Sequence, residues 1–115
     1  MKKPVSPAMH SAIDYALGGA LMTIPAAIGM NDKTAANYRK LAVGVSSLTA
    51  MTDTPAGIKK MVPLKVHQMM DAGLLAGLAL ATAAKGLRRD KKAMIFHLSV
   101  IGMLAMNYML TDYNA

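Results

Sequence analysis

The chain is written twice. All six of its acidic residues are Asp, and they form three pairs at nearly constant separation: Asp14 with Asp71, Asp32 with Asp90, and Asp53 with Asp112. His10 and His67 keep the same spacing as the first pair, and Lys33 and Lys91 that of the second. Prolines precede both histidines, in Pro7-Ala-Met-His10 and Pro63-Leu-Lys-Val-His67. Self-similarity at a fixed period marks a duplicated supersecondary unit. The repeats run over roughly 4–57 and 60–115, and the conserved spacing singles out the few ionisable groups that both halves hold.

A length of 115 residues leaves room for one domain of about four helices rather than two independent cores. Apolar residues make up 54% and aromatics only 4%, with 12 Met and 9 Gly, a profile that favours helix over sheet. There is no Cys, which excludes disulfides, thiolate metal sites and thiol nucleophiles. The net charge of +7 comes from short basic clusters between apolar runs, without aromatic interleaving, so nucleic acid is not the expected partner.

Four segments lack charge: 15–31, 41–52, 72–84 and 93–111. Long basic side chains at their ends can snorkel to an interface, which brings the runs towards the roughly 20 residues that a bilayer span needs. Gly73-Leu-Leu-Ala-Gly77 and its equivalent Ala16-Leu-Gly-Gly-Ala20 are small-residue steps of the kind that let helices approach closely in lipid. Tyr15, Tyr38, Tyr108 and Tyr113 fall near run ends, as in an aromatic belt. The expected fold is therefore all-α: four transmembrane helices, over roughly 8–30, 34–53, 64–86 and 91–112, from two tandem hairpins related by a pseudo-two-fold. A soluble four-helix bundle with a Met-rich core is the alternative. The scattered methionines read as core filling rather than copper ligands, and Asp32 and Asp90 as helix N-caps.

Lys33, Arg39, Lys40, Lys85, Arg88, Arg89, Lys91 and Lys92 belong to the loops of one side, and Lys2, Lys3, Lys59, Lys60 and Lys65 to the other. The positive-inside tendency then puts both termini on the non-cytoplasmic face of a bacterial inner membrane. Met1-Lys2-Lys3 before an apolar stretch resembles a secretory leader, but Asp14 within that stretch and its repeat match favour a retained helix.

The same topology gathers His10, Asp14, Asp53, His67, Asp71 and Asp112 at one end of the bundle. In each odd helix the His and Asp are four apart and share a face. Ionisable groups at membrane depth face the interior or a polar cavity. Three chemistries fit: a clamp in which each carboxylate accepts from a His or a hydroxyl, with Thr52 and Thr111 as further members; a Zn, Mn, Fe or Ni site; and a ligand or proton site based on the two histidines. Haem between His10 and His67 is a further option. No His-Glu-x-x-His, phosphate loop or nucleophile motif is present, so no catalytic residue is assigned and an enzyme is not the leading expectation. His97, without a repeat partner, reads as a packing residue at the opposite end.

The elements His10-Ser-Ala-Ile-Asp14 with Pro25 and Thr52-Asp53, then His67-Gln-Met-Met-Asp71 and Leu110-Thr111-Asp112-Tyr113, resemble the SPW-repeat family of small bacterial integral membrane proteins. The chain has no Trp, and Thr23-Ile24-Pro25 keeps only the proline of that family's naming tripeptide. The resemblance implies a membrane hairpin repeat and no particular activity. The expected function is a small membrane component whose His/Asp cluster clamps the hairpins and is able to bind a ligand or metal. A metal- or haem-dependent redox or transport subunit is the alternative. Lipid, a second copy of the chain and a membrane-protein partner are the expected contacts.

Overall fold

The computed structural model describes residues 3–114. It is all-α, with five helices in the order α1 (Pro7–Ala27), α2 (Asp32–Ala50), α3 (Leu64–Ala81), α4 (Lys85–Arg88) and α5 (Lys91–Leu110). The two hairpins are α1–α2 and α3–α5. Helix three ends at Ala81 rather than at the expected 86, and the short α4 occupies the start of the connection expected to be a loop. The first connection is tighter. Ser6 starts α1 by accepting from the Met9 N–H, with Pro7 pre-set for the first turn. Gly29, at φ +77°, ends it. Its N–H reaches the Ala26 carbonyl and the Met30 N–H reaches that of Pro25, the paired C-terminal bonds that need a left-handed residue between them.

Asp90 caps α5 as expected, accepting from the Lys92 and Ala93 N–H groups. At α2 the expectation is off by one residue: Asn31 accepts from the Lys33 N–H and is the cap, while Asp32 is the first helical residue.

The duplication is visible in the backbone. Val5, before α1, bridges Thr111, after α5; Val62, before α3, bridges Thr52, after α2. In both cases the residue after the Thr donates its N–H to the valine carbonyl, Asp112 to Val5 and Asp53 to Val62, each at 2.8 Å. Each half thus pairs its leading segment with the trailing segment of the other half, and a pseudo-two-fold axis runs between them. α1 packs along α2 and α3 along α5, with α1 also against α5. The apolar core joins Leu17, Leu21, Ala42, Leu78, Val100 and Leu104.

A close helix approach is found in one of the two expected small-residue steps and not in the other. Gly73 and Gly77 face outward, with open space where a Cβ would be. Gly18 instead lies against Ser46 of α2, and a Cβ there would run into the Ser46 hydroxyl. Gly18→Ala is therefore expected to destabilise the protein by about 1–3 kcal/mol, the range for an overpacked contact. Ser46→Ala should relieve most of that loss, because it removes the obstructing oxygen; thermal melts of the two single variants and the double variant measure the coupling.

Met30 belongs to the core and Met94 packs against it, but most of the methionines lie outside it. Met9, Met22, Met51, Met61, Met69, Met70, Met103, Met106 and Met109 are exposed, along with Ile24, Val43, Leu80, Ile95 and Leu98. The buried set is rich in polar residues: His10, Ser11, Asp14, Thr49, Thr52, His67, His97, Asn107 and Thr111. Of the five helices only α5 is long and apolar enough to cross a membrane, with a mean hydropathy of 1.6. The expectation of four such spans is not met by length and composition, since α2 carries Asp32, Lys33, Arg39 and Lys40, and α3 has only 18 residues, including Lys65, His67 and Asp71. Two of the four tyrosines assigned to an aromatic belt, Tyr38 and Tyr113, are buried instead.

Candidate metal centre

Each odd helix presents its His and Asp one turn apart on a single face, and α1 and α3 turn those faces towards each other. The imidazole Nε2 atoms of His10 and His67 lie 3.4 Å apart. His10 Nε2 is 3.2 Å from Asp14 Oδ2 and 3.1 Å from Asp71 Oδ2; His67 Nε2 is 3.1 Å from Asp14 Oδ2 and 3.3 Å from Asp71 Oδ2. All four side chains are buried, and their four converging atoms lie within 4.8 Å of one another. The rings cross nearly edge to face, with an interplanar angle of 79°.

The outer nitrogen of each ring fixes which tautomer is present. His67 Nδ1 is 2.7 Å from Thr52 Oγ1, and that hydroxyl donates its single proton to the Leu48 carbonyl at 2.6 Å. Thr52 can therefore only accept from His67, and Nδ1 carries the hydrogen. The other half repeats the arrangement: His10 Nδ1 is 2.7 Å from Thr111 Oγ1, whose proton goes to the Asn107 carbonyl. The threonines thus place N–H on the outer side of both rings and aim both Nε2 atoms at the carboxylates. This is the second-shell arrangement of a metal-ligating histidine.

Asp14 is further held by Asn107 Nδ2, which donates to Oδ1 at 3.1 Å; the Thr49 hydroxyl, 3.2 Å from Oδ2, shares its one proton with the nearer Val45 carbonyl at 2.9 Å. Ser11 and Thr54 hydrogen-bond beside the cluster at 2.9 Å, tying α1 to the middle loop. Tyr113 packs its ring against His10, with centroids 5.5 Å apart. Its buried hydroxyl has no hydrogen-bond partner among the described residues. Burial pushes that phenol above its ordinary pKa, and the Asp71 and Asp14 carboxylates push it the same way.

Of the six expected site residues, four come together: His10, Asp14, His67 and Asp71. Asp53 and Asp112 do not join them, although both lie at that end of the bundle. Asp53 is exposed and Asp112 half-buried, its Oδ1 capping the Asn114 N–H. The reason is the extended backbone at the bridges, where successive side chains point to opposite sides. Thr52 and Thr111 point in, so the aspartates that follow point out. Sequence reasoning named the two threonines as possible members of the network but missed Asn107, Thr49 and Tyr113. Asn107 had a signal, being an amide inside an otherwise apolar run.

The geometry also decides against haem. With Nε2 atoms 3.4 Å apart and two carboxylates in the same shell, no macrocycle fits between the imidazoles. A single ion does. At the other end of the bundle His97 is buried but fully bonded: its Nε2–H donates to the Leu78 carbonyl at 2.8 Å, which leaves Nδ1 to accept from the Tyr38 hydroxyl. It ties α5, α3 and α2 together, as expected of a packing residue.

Comparison with known proteins finds no matching family model, no similar curated protein and no similar solved structure.

Proposed function

We propose that the chain is a small membrane-embedded metalloprotein in which one divalent transition-metal ion, bound by His10, Asp14, His67 and Asp71, clips the two hairpins together. The observation that carries this reading is the near-equality of five of the six ligand separations. Four ligands at 2.0–2.1 Å from a tetrahedral ion stand about 3.3–3.4 Å apart. All the separations but that between the two carboxylate oxygens fall between 3.1 and 3.4 Å, and the four atoms lie within 4.8 Å of one another. A clamp without metal would have one proton on each Nε2, and one N–H points well at only one carboxylate. Such pairing gives two short contacts and two long ones, rather than four alike.

Charge is compatible with an ion. Two carboxylates and two neutral imidazoles neutralise a divalent ion, which removes most of the cost of burying it. The ligand set suits Zn, and also Mn, Fe or Ni; Zn adapts most readily to a tetrahedral shell because it has no geometric preference of its own. The expected role is structural or regulatory rather than catalytic, because all four positions are filled by side chains.

The bilayer is supported by the inverted surface. Leu80 is 80% exposed, Met69 73% and Met109 65%, around an interior of His, Asp, Thr and Asn. Isolated exposed apolar residues are ordinary, but a surface this apolar around a polar interior fits lipid better than water. The resemblance of the repeat to small membrane hairpin proteins agrees with this. The basic loops would then meet anionic headgroups, with the metal end and both termini on the non-cytoplasmic side of a bacterial inner membrane.

Alkaline carbonate washing tests the bilayer and equilibrium dialysis tests the ion. The protein is expected to stay in the membrane pellet, and after detergent extraction to retain one Zn per chain against a Mg-containing buffer. Release into the supernatant would overturn the bilayer reading alone, and failure to retain Zn would overturn the metal reading alone.

A further inference from the structure

Asp14 and Asp71 are equivalent across the repeat, yet they are held unequally. Asp14 accepts from the Asn107 amide on one oxygen, and the other faces a Thr49 hydroxyl shared with the Val45 carbonyl. Asp71 has no hydrogen bond beyond the two histidines among the described residues. Its side chain is 11% exposed against 2% for Asp14. The difference follows from sequence: Asn107 lies four residues before Thr111, and the residue four before Thr52 is Leu48, whose apolar side chain offers Asp71 no donor. On its free side Asp71 borders a cavity of about 230 Å³ between α2 and α3. Gly44 and Leu48 of α2 and Met70 and Leu74 of α3 line it, with His67 and Asp71 in its wall.

Resting on the metal reading above, we propose that this cavity is a second-ligand site: a small uncharged donor molecule of a few heavy atoms enters it and binds the ion on the Asp71 side. The ligand adds as a fifth donor. The lining sets the class. Apart from His67 and Asp71 the cavity is walled by aliphatic and thioether groups, and the two carboxylates already neutralise a divalent ion. An incoming anion would bring an uncompensated charge into apolar surroundings, whereas a neutral nitrogen or oxygen donor brings none. The uneven anchoring allows the change, since Asp71 can swing without breaking any hydrogen bond outside the cluster, while Asp14 cannot.

Cobalt(II) makes the site visible, because its absorption bands are intense in a tetrahedral shell and weaken when a fifth ligand joins. The Co-loaded protein is titrated with imidazole and, separately, with azide, and the same is done for Gly44→Leu. A Cβ on Gly44 meets nothing within 4 Å, and Gly44 lines the cavity, so a larger side chain there is expected to narrow it. Leu is also a better helix former than Gly, so α2 is preserved. The expected result is a saturable loss of band intensity with imidazole, a response at least tenfold weaker in azide affinity, and no imidazole response in Gly44→Leu, whose starting spectrum matches that of the parent.

An unchanged spectrum, an equal response in Gly44→Leu, a preference for azide, or loss of cobalt to solution would each overturn the second-ligand site while leaving the ion in place. Failure of the protein to take up cobalt at all would instead overturn the metal reading on which it rests.

Discussion

His67→Ala is expected to lower stability by about 3–5 kcal/mol, the cost of removing one partner from a buried charge network and leaving the others unpaired. His67 touches both carboxylates, at 3.1 and 3.3 Å, and is 2% exposed, so water does not replace what is lost. His10→Ala should cost as much, because the pseudo-two-fold gives it the same contacts. His97→Ala should cost less, about 1–3 kcal/mol, since it removes a ring from two neutral hydrogen-bond partners. The metal separates the variants more sharply than stability does. An ion at a thousand times its Kd stabilises a folded protein by about 4 kcal/mol. Melting in detergent should therefore shift upward with added Zn in the parent and in His97→Ala, and stay fixed in His10→Ala and His67→Ala. Where the alanine variants do not fold, Asp71→Asn keeps the shape of the site and should still lose the Zn-dependent shift. Equal shifts in all variants would refute the assignment of ligands.

Thr52→Val and Thr111→Val are expected to weaken metal binding by about 10–100-fold each, the usual effect of removing a second-shell partner of a ligating histidine. Valine keeps the shape of threonine but removes the oxygen that accepts from Nδ1. The ring then has no reason to keep its N–H on the outer side, and the tautomer with a hydrogen on Nε2 cannot bind the ion. Thr→Ser at either position restores the acceptor and should restore most of the affinity. Thr82→Val is the control. Its hydroxyl makes the same kind of local bond, to the Leu78 carbonyl at 3.1 Å, but holds no ligand. Competition with a chromophoric chelator reads all of these. Loss of affinity in Thr82→Val as large as in Thr52→Val would mean that helix stability, not tautomer control, is being measured.

What the sequence disclosed and what it withheld follow the same physics. The hairpin repeat and the four central residues were legible because His and Asp four apart on a helix must share a face, and the duplication had to bring two such faces to one end. Asp53 and Asp112 misled because the backbone leaves the helix just before them. A helical register puts Thr and Asp of a Thr-Asp pair on neighbouring directions, whereas the extended register at Thr111 (ψ 134°) sends them to opposite sides. The anchoring of Asp14 by Asn107 was not legible from the repeat, because the equivalent residue of the first half is Leu48. Nor was the outward turn of the methionines, since composition tells how much apolar surface a chain has but not which side of the helices it lies on. α4 was hidden by the absence of a strong stop between Ala81 and Asp90.

X-ray absorption on the Zn-loaded protein tests the central claim most directly, since it counts and measures the ligands around the ion itself. The expected spectrum has about four nitrogen and oxygen neighbours at 2.0–2.1 Å. The outer-shell scattering should fit two imidazole rings, and both rings should disappear in the His10/His67 double variant. A six-coordinate, water-rich shell without imidazole scattering would contradict the account, and the four side chains would then be a clamp held by protons alone.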